Sequence, residues 1–365
     1  MRLAIVSQSA RIYAEMARRE GFEVLAVDAF ADTDTRLAAH EVWQLPNLCR
    51  RLTAEDVSTL LSKLDVWQPE FVLVGSGFEA DIEGYETLYQ RFRVLGNLPS
   101  VIRQVKNPHW LQTYLTANGI RSPEITDQIP REGDWLYKQA GQCGGSHIQD
   151  WQAEVSATEN GYWQAFQAGQ AIGALFVVSR QKVTLIGVHA LKKRPGTYTY
   201  AGASRVHDHQ LIEAMQSLLE TLVTDLGLVG INSLDAIWFD NELHVLEINP
   251  RLSASMRLYT ELPLIQAHID SCQGKAIPAL QLNNARASHC IFYARQEIEV
   301  EQLNPPDWVE DRPGHGTIAA GQPLCSLYAE GRSSREVQQI LQDKKTQLEK
   351  LWGTYVCEHI EFNIH

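Results

Sequence analysis

The chain has 365 residues, with 32 Lys+Arg against 44 Asp+Glu and a formal net charge of −12. At 44% hydrophobic and 21% charged it has the composition of a folded globular protein, long enough for two or three domains. Its aromatic content (Trp 9, Tyr 12, Phe 10) excludes disorder over most of the length, and the acidic balance argues against nucleic acid as a partner, while leaving room for a local phosphate site.

The N-terminus, Leu3 to Val6, reads as a buried strand and not as a secretory segment. Ala10 to Arg19 is helix-like, and Phe22 to Val27 is a second strand ending at Asp28. Thr53 and Asp56 form a capping-box start for a helix over 53–64. Phe71 to Val74 is a third apolar strand, followed by Gly75-Ser76-Gly77. Short apolar runs separated by helices predict a parallel sheet covered on both faces. Its ligand crevice falls past the strand ends, near Ser7, Asp28 and Gly75 to Glu79. No G-x-G-x-x-G follows the first strand, so a dinucleotide is not the expected ligand.

Asn107-Pro108 predicts a helix start, with Gly119 closing that helix. Leu136-Tyr137-Lys138 is a short strand running into the glycine-rich loop Gly141 to Ser146. Strands over 162–166 and 171–179 are expected to join through a turn at Ala168-Gly169, and a further strand covers 183–189. Leu211 to Leu226 carries one apolar stripe and ends at Gly227, an amphipathic helix. Strands over 233–239 and 242–248 pair across the Asp240-Asn241 turn. Short strands with Pro/Gly turns cover 288–327, and Ser333 and Glu336 open a last helix to about Trp352. No stretch approaches the roughly 20 apolar residues of a membrane span. Six scattered cysteines without a C-x-x-C pair point to free thiols and a cytoplasmic setting.

Chemistry concentrates in Glu247-Ile248-Asn249-Pro250-Arg251. On a strand, Glu247 and Asn249 share a face, and Asp235 lies on the hairpin partner. Two carboxylates and an amide oxygen suit Mg²⁺ when phosphates complete its shell. Arg251 suits an oxyanion. Taken singly, Asp235 or Glu247 is better explained by a solvated hairpin, and Lys106 by the surface. Lys138 beside a glycine-rich loop pairs a point charge with backbone N–H groups that can approach phosphate closely.

In order, Lys106-Asn107-Pro108, Leu136-Tyr137-Lys138, Gly141 to Ser146, Gln164 to Gly169, Ser233-Leu234-Asp235 and Glu247 to Arg251 resemble the ATP-grasp superfamily over about 106–257. The resemblance implies mixed α/β and α+β architecture: a Rossmann-like domain over 1–104, an ATP-grasp domain of two lobes over 105–285, and a β-rich segment with a terminal helix over 286–365. It further implies an ADP-forming carboxylate–amine ligase using ATP and Mg²⁺ (or Mn²⁺) through an acyl-phosphate. By position, Lys106 and Lys138 would contact phosphates, and Gly144, Gly145 and Ser146 would cover them. Gln164, Phe166 and Gln167 would form the hinge against adenine. Asp235, Glu247 and Asn249 would hold the metal, and Arg251 would stabilise the transferred phosphoryl group. The hinge departs from the family pattern, reading Gln164, Ala165, Gln170 and Ala171 where a carboxylate usually meets the ribose.

Gly75 to Glu79, Tyr200 to Ala203 and Ala319 to Pro323 further resemble a prokaryotic branch that includes tyramine–glutamate ligase of methanofuran biosynthesis. The implied partners are a small carboxylate and an amine, without nucleic acid or membrane, and a homodimer is compatible. A purine-type carboxylase using bicarbonate and a non-catalytic nucleotide-binding regulator are the alternative readings.

Overall fold

The computed structural model describes residues 1–151 and 160–353 of the chain. The N-terminal unit contains β1 (Arg2–Ser7), α1 (Arg11–Arg19), β2 (Glu23–Asp28), α2 (Thr33–Ala38) and β3 (Glu41–Gln44). It continues with α3 (Ala54–Trp67), β4 (Phe71–Val74), α4 (Ile82–Arg91) and β5 (Val94–Leu95). These strands form one parallel sheet in the order β3-β2-β1-β4-β5. Leu3 to Val6 and Val24 to Val27 are wholly buried, as a sheet covered on both faces requires. The capping box of α3 is formed: Thr53 Oγ1 accepts from Asp56 N, and the Asp56 carboxylate accepts from Thr53 N.

The strand order reverses between β1 and β4, and that is where an open α/β sheet leaves a crevice. Ser7 ends β1 there and Gly75 follows β4. Gly75 has no room for a side chain, because a Cβ would sit 2.3 Å from Ser7 Oγ. Asp28 does not open into this crevice. Its carboxylate accepts the backbone N–H groups of Ala10, Phe30 and Ala31 and is a structural clamp.

Two helices, α5 (Pro99–Val105) and α6 (Pro108–Ala117), lead onward, with Asn107 capping α6 through Trp110 N. An antiparallel sheet follows from β6 (Ile125–Thr126), β7 (Trp135–Gln139), β8 (Gln149–Asp150) and β9 (Gly161–Ala165), in the order β6-β9-β7-β8. The next elements are β10 (Gln170–Ser179), β11 (Lys182–Lys193), β12 (Tyr200–Arg205), α7 (His209–Leu226), β13 (Gly230–Phe239) and β14 (Glu242–Asn249). After them come α8 (Leu264–Cys272), β15 (Arg286–Tyr293), β16 (Ile298–Glu299), β17 (Thr317–Ile318), β18 (Pro323–Gly331) and α9 (Ser334–Trp352).

The large sheet runs β14-β13-β10-β11-β12-β15-β18. One sequence expectation changes here. β9 and β10 are not a hairpin: they lie in different sheets, and 166–169 is the crossing between them. Tyr200 to Ala203 lies on strand β12, which bonds both β11 and β15. β15 and β18 therefore extend the central sheet across residue 285. The Asp240-Asn241 turn is as expected, with φ of 49° and 60°, the left-handed values a two-residue hairpin needs.

Buried polar links fasten the N-terminal sheet to the large one. Asn97 Nδ2 donates to Asn232 Oδ1 and Pro250 O, and Leu252 N donates to Val74 O. Arg11 is caged by Glu15, Asp34, Glu310 and Asp311, tying α1 to the loop before β17. Five cysteines are free thiols; Cys357 lies outside the described residues. No helix among the described residues is long and apolar enough to cross a membrane.

Candidate active site

The β13–β14 hairpin sets Asp235 directly opposite Glu247, with a bulge between Asp235 and Ala236. Period two brings Asn249 to the same face as Glu247. Asn249 Nδ2 lies 3.3 Å from both Asp235 Oδ2 and Glu247 Oε1. Lys106, the C-cap of α5, reaches in from a distant part of the sequence. Its Nζ donates to Glu247 Oε2 at 2.9 Å and to Asn249 Oδ1 at 3.1 Å. The four residues singled out in the sequence form one cluster.

The electrostatics of this cluster are asymmetric. Withdrawal from water, and then the neighbouring Glu247 charge, push the Asp235 carboxyl well above its ordinary range. Burial also opposes ionisation of Glu247, but the Lys106 ammonium, the Lys138 charge and the Asn249 amide together outweigh it and hold that carboxyl low. Glu247 keeps 43% of its side-chain surface open, so a ligand can reach it. Among the described residues no group of three His, Cys, Asp or Glu side chains is placed to hold a metal ion by itself. The cluster offers two carboxylates and one amide, an incomplete oxygen shell that fits Mg²⁺ only if phosphates supply the rest. A divalent ion would also relieve the carboxylate repulsion that raises Asp235.

Lys138 lies on β7, only 8% exposed. Its ammonium has no hydrogen-bond partner among the described residues, and burial lowers its pKa despite the charges of Glu247 and Asp235. His147, just past the glycine-rich loop, has its Nδ1 buried and unpartnered. A buried polar nitrogen without a partner, like His147 Nδ1, is expensive unless a ligand completes it.

The loop itself needs its glycines. Gly144 and Gly145 have φ of 75° and 76°, and a Cβ on Gly145 would lie 2.1 Å from Tyr198 O. Tyr200 N donates to Gly144 O, pinning the loop to the start of β12. Ser146 is exposed on this loop. Cys143 Sγ donates to Gln8 Oε1, and burial pushes the thiol up to about 12, which makes it a poor nucleophile.

The hinge is less complete. Gln164 is 4% exposed, opposite Leu136 on β7. Phe166 is 45% exposed at the crossing between the sheets, and Gln167 Nε2 bonds Ala168 O within the crossing. No described hydrogen bond joins these three to the carboxylate cluster.

Arg251 lies just past β14, and Glu79 from the β4–α4 loop accepts its Nε at 2.5 Å. This partner was not assigned from the sequence. The only signal was the position of Glu79 past the end of β4, where the crevice was expected.

Residues 105–255 match the model of the ATP-grasp domain family. Pyruvate carboxylase from Rhizobium etli, solved with acetyl coenzyme A, superposes with TM-score 0.69 at 12% identity. The match covers 96% of this chain and 36% of that one, so the chain spans about a third of that enzyme. Biotin carboxylase from Campylobacter jejuni, solved with an ATP analogue, gives TM-score 0.70 at 10% identity, covering 97% and 92% of the two chains. N5-carboxyaminoimidazole synthase from Aspergillus clavatus, solved with ADP and 5-aminoimidazole ribonucleotide, gives 0.71 at 12%, covering 96% and 98%. No curated protein matches the sequence. The architecture, a parallel N-terminal sheet followed by antiparallel sheets, is consistent with the ATP-grasp fold.

Proposed function

We propose that this chain is an ATP- and Mg²⁺-dependent carboxylate–amine ligase, ADP-forming, acting through an acyl-phosphate. The observation that carries this reading is the Lys106–Glu247–Asn249–Asp235 cluster beside the unpartnered ammonium of Lys138. Residues 1–104 would form the substrate-side domain, and the ATP-grasp unit over 105–285 would hold nucleotide between its two sheets.

Lys138 and Lys106 bind phosphate oxygens, and the loop at Gly144, Gly145 and Ser146 covers them with backbone N–H groups. Gln164, Phe166 and Gln167 line the adenine side. Asp235, Glu247 and Asn249 would hold Mg²⁺ (or Mn²⁺), which when bound neutralises phosphate charge and orients the terminal phosphoryl group. Arg251 places guanidinium N–H groups where charge gathers as the carboxylate oxygen attacks phosphorus and ADP leaves. The amine then displaces phosphate from the acyl carbon, giving amide, phosphate and a proton. Exclusion of water by the glycine-rich loop protects the acyl-phosphate meanwhile.

Glutamate with tyramine is the first substrate pair to test, given the resemblance to the methanofuran-pathway branch, with a cytoplasmic setting and a homodimer as working assumptions. A second reading takes bicarbonate as the acid, supported by the carboxylases among the structural neighbours. The test is Mg²⁺-dependent ADP release over pairs of carboxylates and amines, with bicarbonate plus 5-aminoimidazole ribonucleotide alongside. Release with an acid and an amine supports the ligase, release only with bicarbonate supports the carboxylase, and nucleotide binding without turnover on any pair sinks both.

A further inference from the structure

We infer that Glu79 is a positioning residue for Arg251, so that the N-terminal domain sets the geometry of phosphoryl transfer. This inference rests on the ligase reading. The two residues are 172 apart in sequence, yet Arg251 Nε donates to Glu79 Oε1 at 2.5 Å. The second carboxylate oxygen, Oε2, accepts Gly77 N at 2.7 Å. Gly77 has φ of 128°, a value that lets the loop curl its N–H back onto the carboxylate. Both side chains are largely sealed, at 14% and 6% exposed.

A buried ion pair is a poor source of stability, because desolvation cancels most of the attraction. What it supplies is orientation. Arginine is a planar fork with five N–H groups in fixed directions, so two anchors define where the rest point. Here Nε is anchored by Glu79, and Nη1 by Leu252 O at 3.1 Å. Nη2 has no hydrogen-bond partner among the described residues. It remains the free edge of a guanidinium held two residues past Asn249. Lysine could not replace this arrangement, because a rotating ammonium carries no fixed third direction.

The same residue also meets the glycine-rich loop. A Cβ on Gly141 would lie 2.8 Å from Glu79 O, so the loop stacks against the Glu79 backbone. Leu252 N meanwhile donates to Val74 O at the end of β4. Loop, arginine and N-terminal sheet thus converge at one point. Displacing the N-terminal domain would release Arg251 and undock the loop together.

The test uses the full chain, with Mg²⁺–ADP plus aluminium fluoride as a mimic of the transferred phosphoryl group. Glu79→Gln should leave Mg²⁺–ADP affinity within about 3-fold. It should weaken the aluminium fluoride complex by about 10²-fold, the loss expected from an Å-scale displacement of a reacting group. On an Arg251→Gln background the same change should add nothing, since a partner already absent cannot be mispositioned. That double variant carries neither charge and so guards against misfolding of the single one. A merely structural Glu79 would lower the melting temperature and weaken both complexes alike. A crystal structure of Glu79→Gln reads the pin without any nucleotide. Arg251 in its original place there, or an additive loss in the double variant, overturns the inference. Absence of nucleotide binding by the unaltered chain would instead count against the ligase reading and leave the crystal structure to decide Glu79.

Discussion

Replacing Lys138 with methionine separates binding from folding, because the two effects have opposite signs. The side chain is only 8% exposed, and its ammonium has no described hydrogen-bond partner. Burial lowers its pKa, with Glu247 and Asp235 only partly restoring it. A lowered ammonium pKa means the folded chain disfavours the proton that the unfolded chain holds at neutral pH. Without nucleotide, Lys138→Met should therefore be neutral or stabilising, by up to about 3 kcal/mol, in the range seen when buried charges give way to apolar groups of similar volume. With nucleotide the loss is a charge-assisted hydrogen bond to phosphate, about 1.5–3 kcal/mol, or roughly 10- to 100-fold in Kd. The assays are calorimetric titration with Mg²⁺–ATP and urea unfolding with and without nucleotide. A variant that unfolds more easily alone yet binds ATP like the unaltered chain would refute the reasoning, because Lys138 would then be a structural cation.

Three other perturbations probe different parts of the molecule. Glu247→Gln removes the charge that Lys106 holds at 2.9 Å, and turnover should fall about 10²-fold or more, with the apo melting temperature little changed; near-normal turnover would take the metal role away from Glu247. Cys143→Ser should retain most activity, since the thiol is pushed up to about 12 by burial, and complete loss with normal ATP binding would revive a thiol mechanism. Asp32 is raised to about 9 by burial and then by the charges of Asp311, Asp28 and Asp34, with Arg11 opposing. An acid with a raised folded pKa holds its proton more tightly than the unfolded chain, so stability declines as pH rises from about 4 towards about 9. Asp32→Asn should stabilise by about 2 kcal/mol, more at pH 8.5 than at pH 5 in urea unfolding, and an equal gain at both pH values would refute that account.

Local signals carried much of the fold. The capping box at Thr53, the Asp240-Asn241 turn and the stripe from Leu211 to Leu226 each encode an element within a few residues, and each element is present. Strand partnership is different, because it depends on residues far away in sequence. Gln164 to Ala165 and Gln170 to Ser179 have the spacing of a hairpin, yet β9 pairs with β7 and β10 with β13. Nothing within 162–179 encodes that choice. Likewise Tyr200 to Arg205 is glycine- and alanine-rich, a poor strand by composition. It forms β12 because β11 and β15 flank it, and because Gly202, where a Cβ would lie 2.2 Å from His289 O, permits their close approach.

The candidate site divides along the same line. Glu247 and Asn249 share a face by strand period, and Asp235 joins them by a two-residue turn, so three members of the cluster follow from one hairpin. Lys106 and Lys138 come from elsewhere, but each was marked by a neighbouring irregularity: the Asn107-Pro108 helix start and the glycine-rich loop. Glu79 had no such mark linking it to Arg251. Their pairing depends on how the N-terminal sheet docks on the large one, through Asn97, Pro250, Leu252 and Val74, and docking is written in surfaces and not in periods. The charged residues of the cluster can thus be read from local pattern. A residue that pairs with such a charge across the molecule is visible only once two separately encoded units have met, and the Arg251–Glu79 contact is of that second kind.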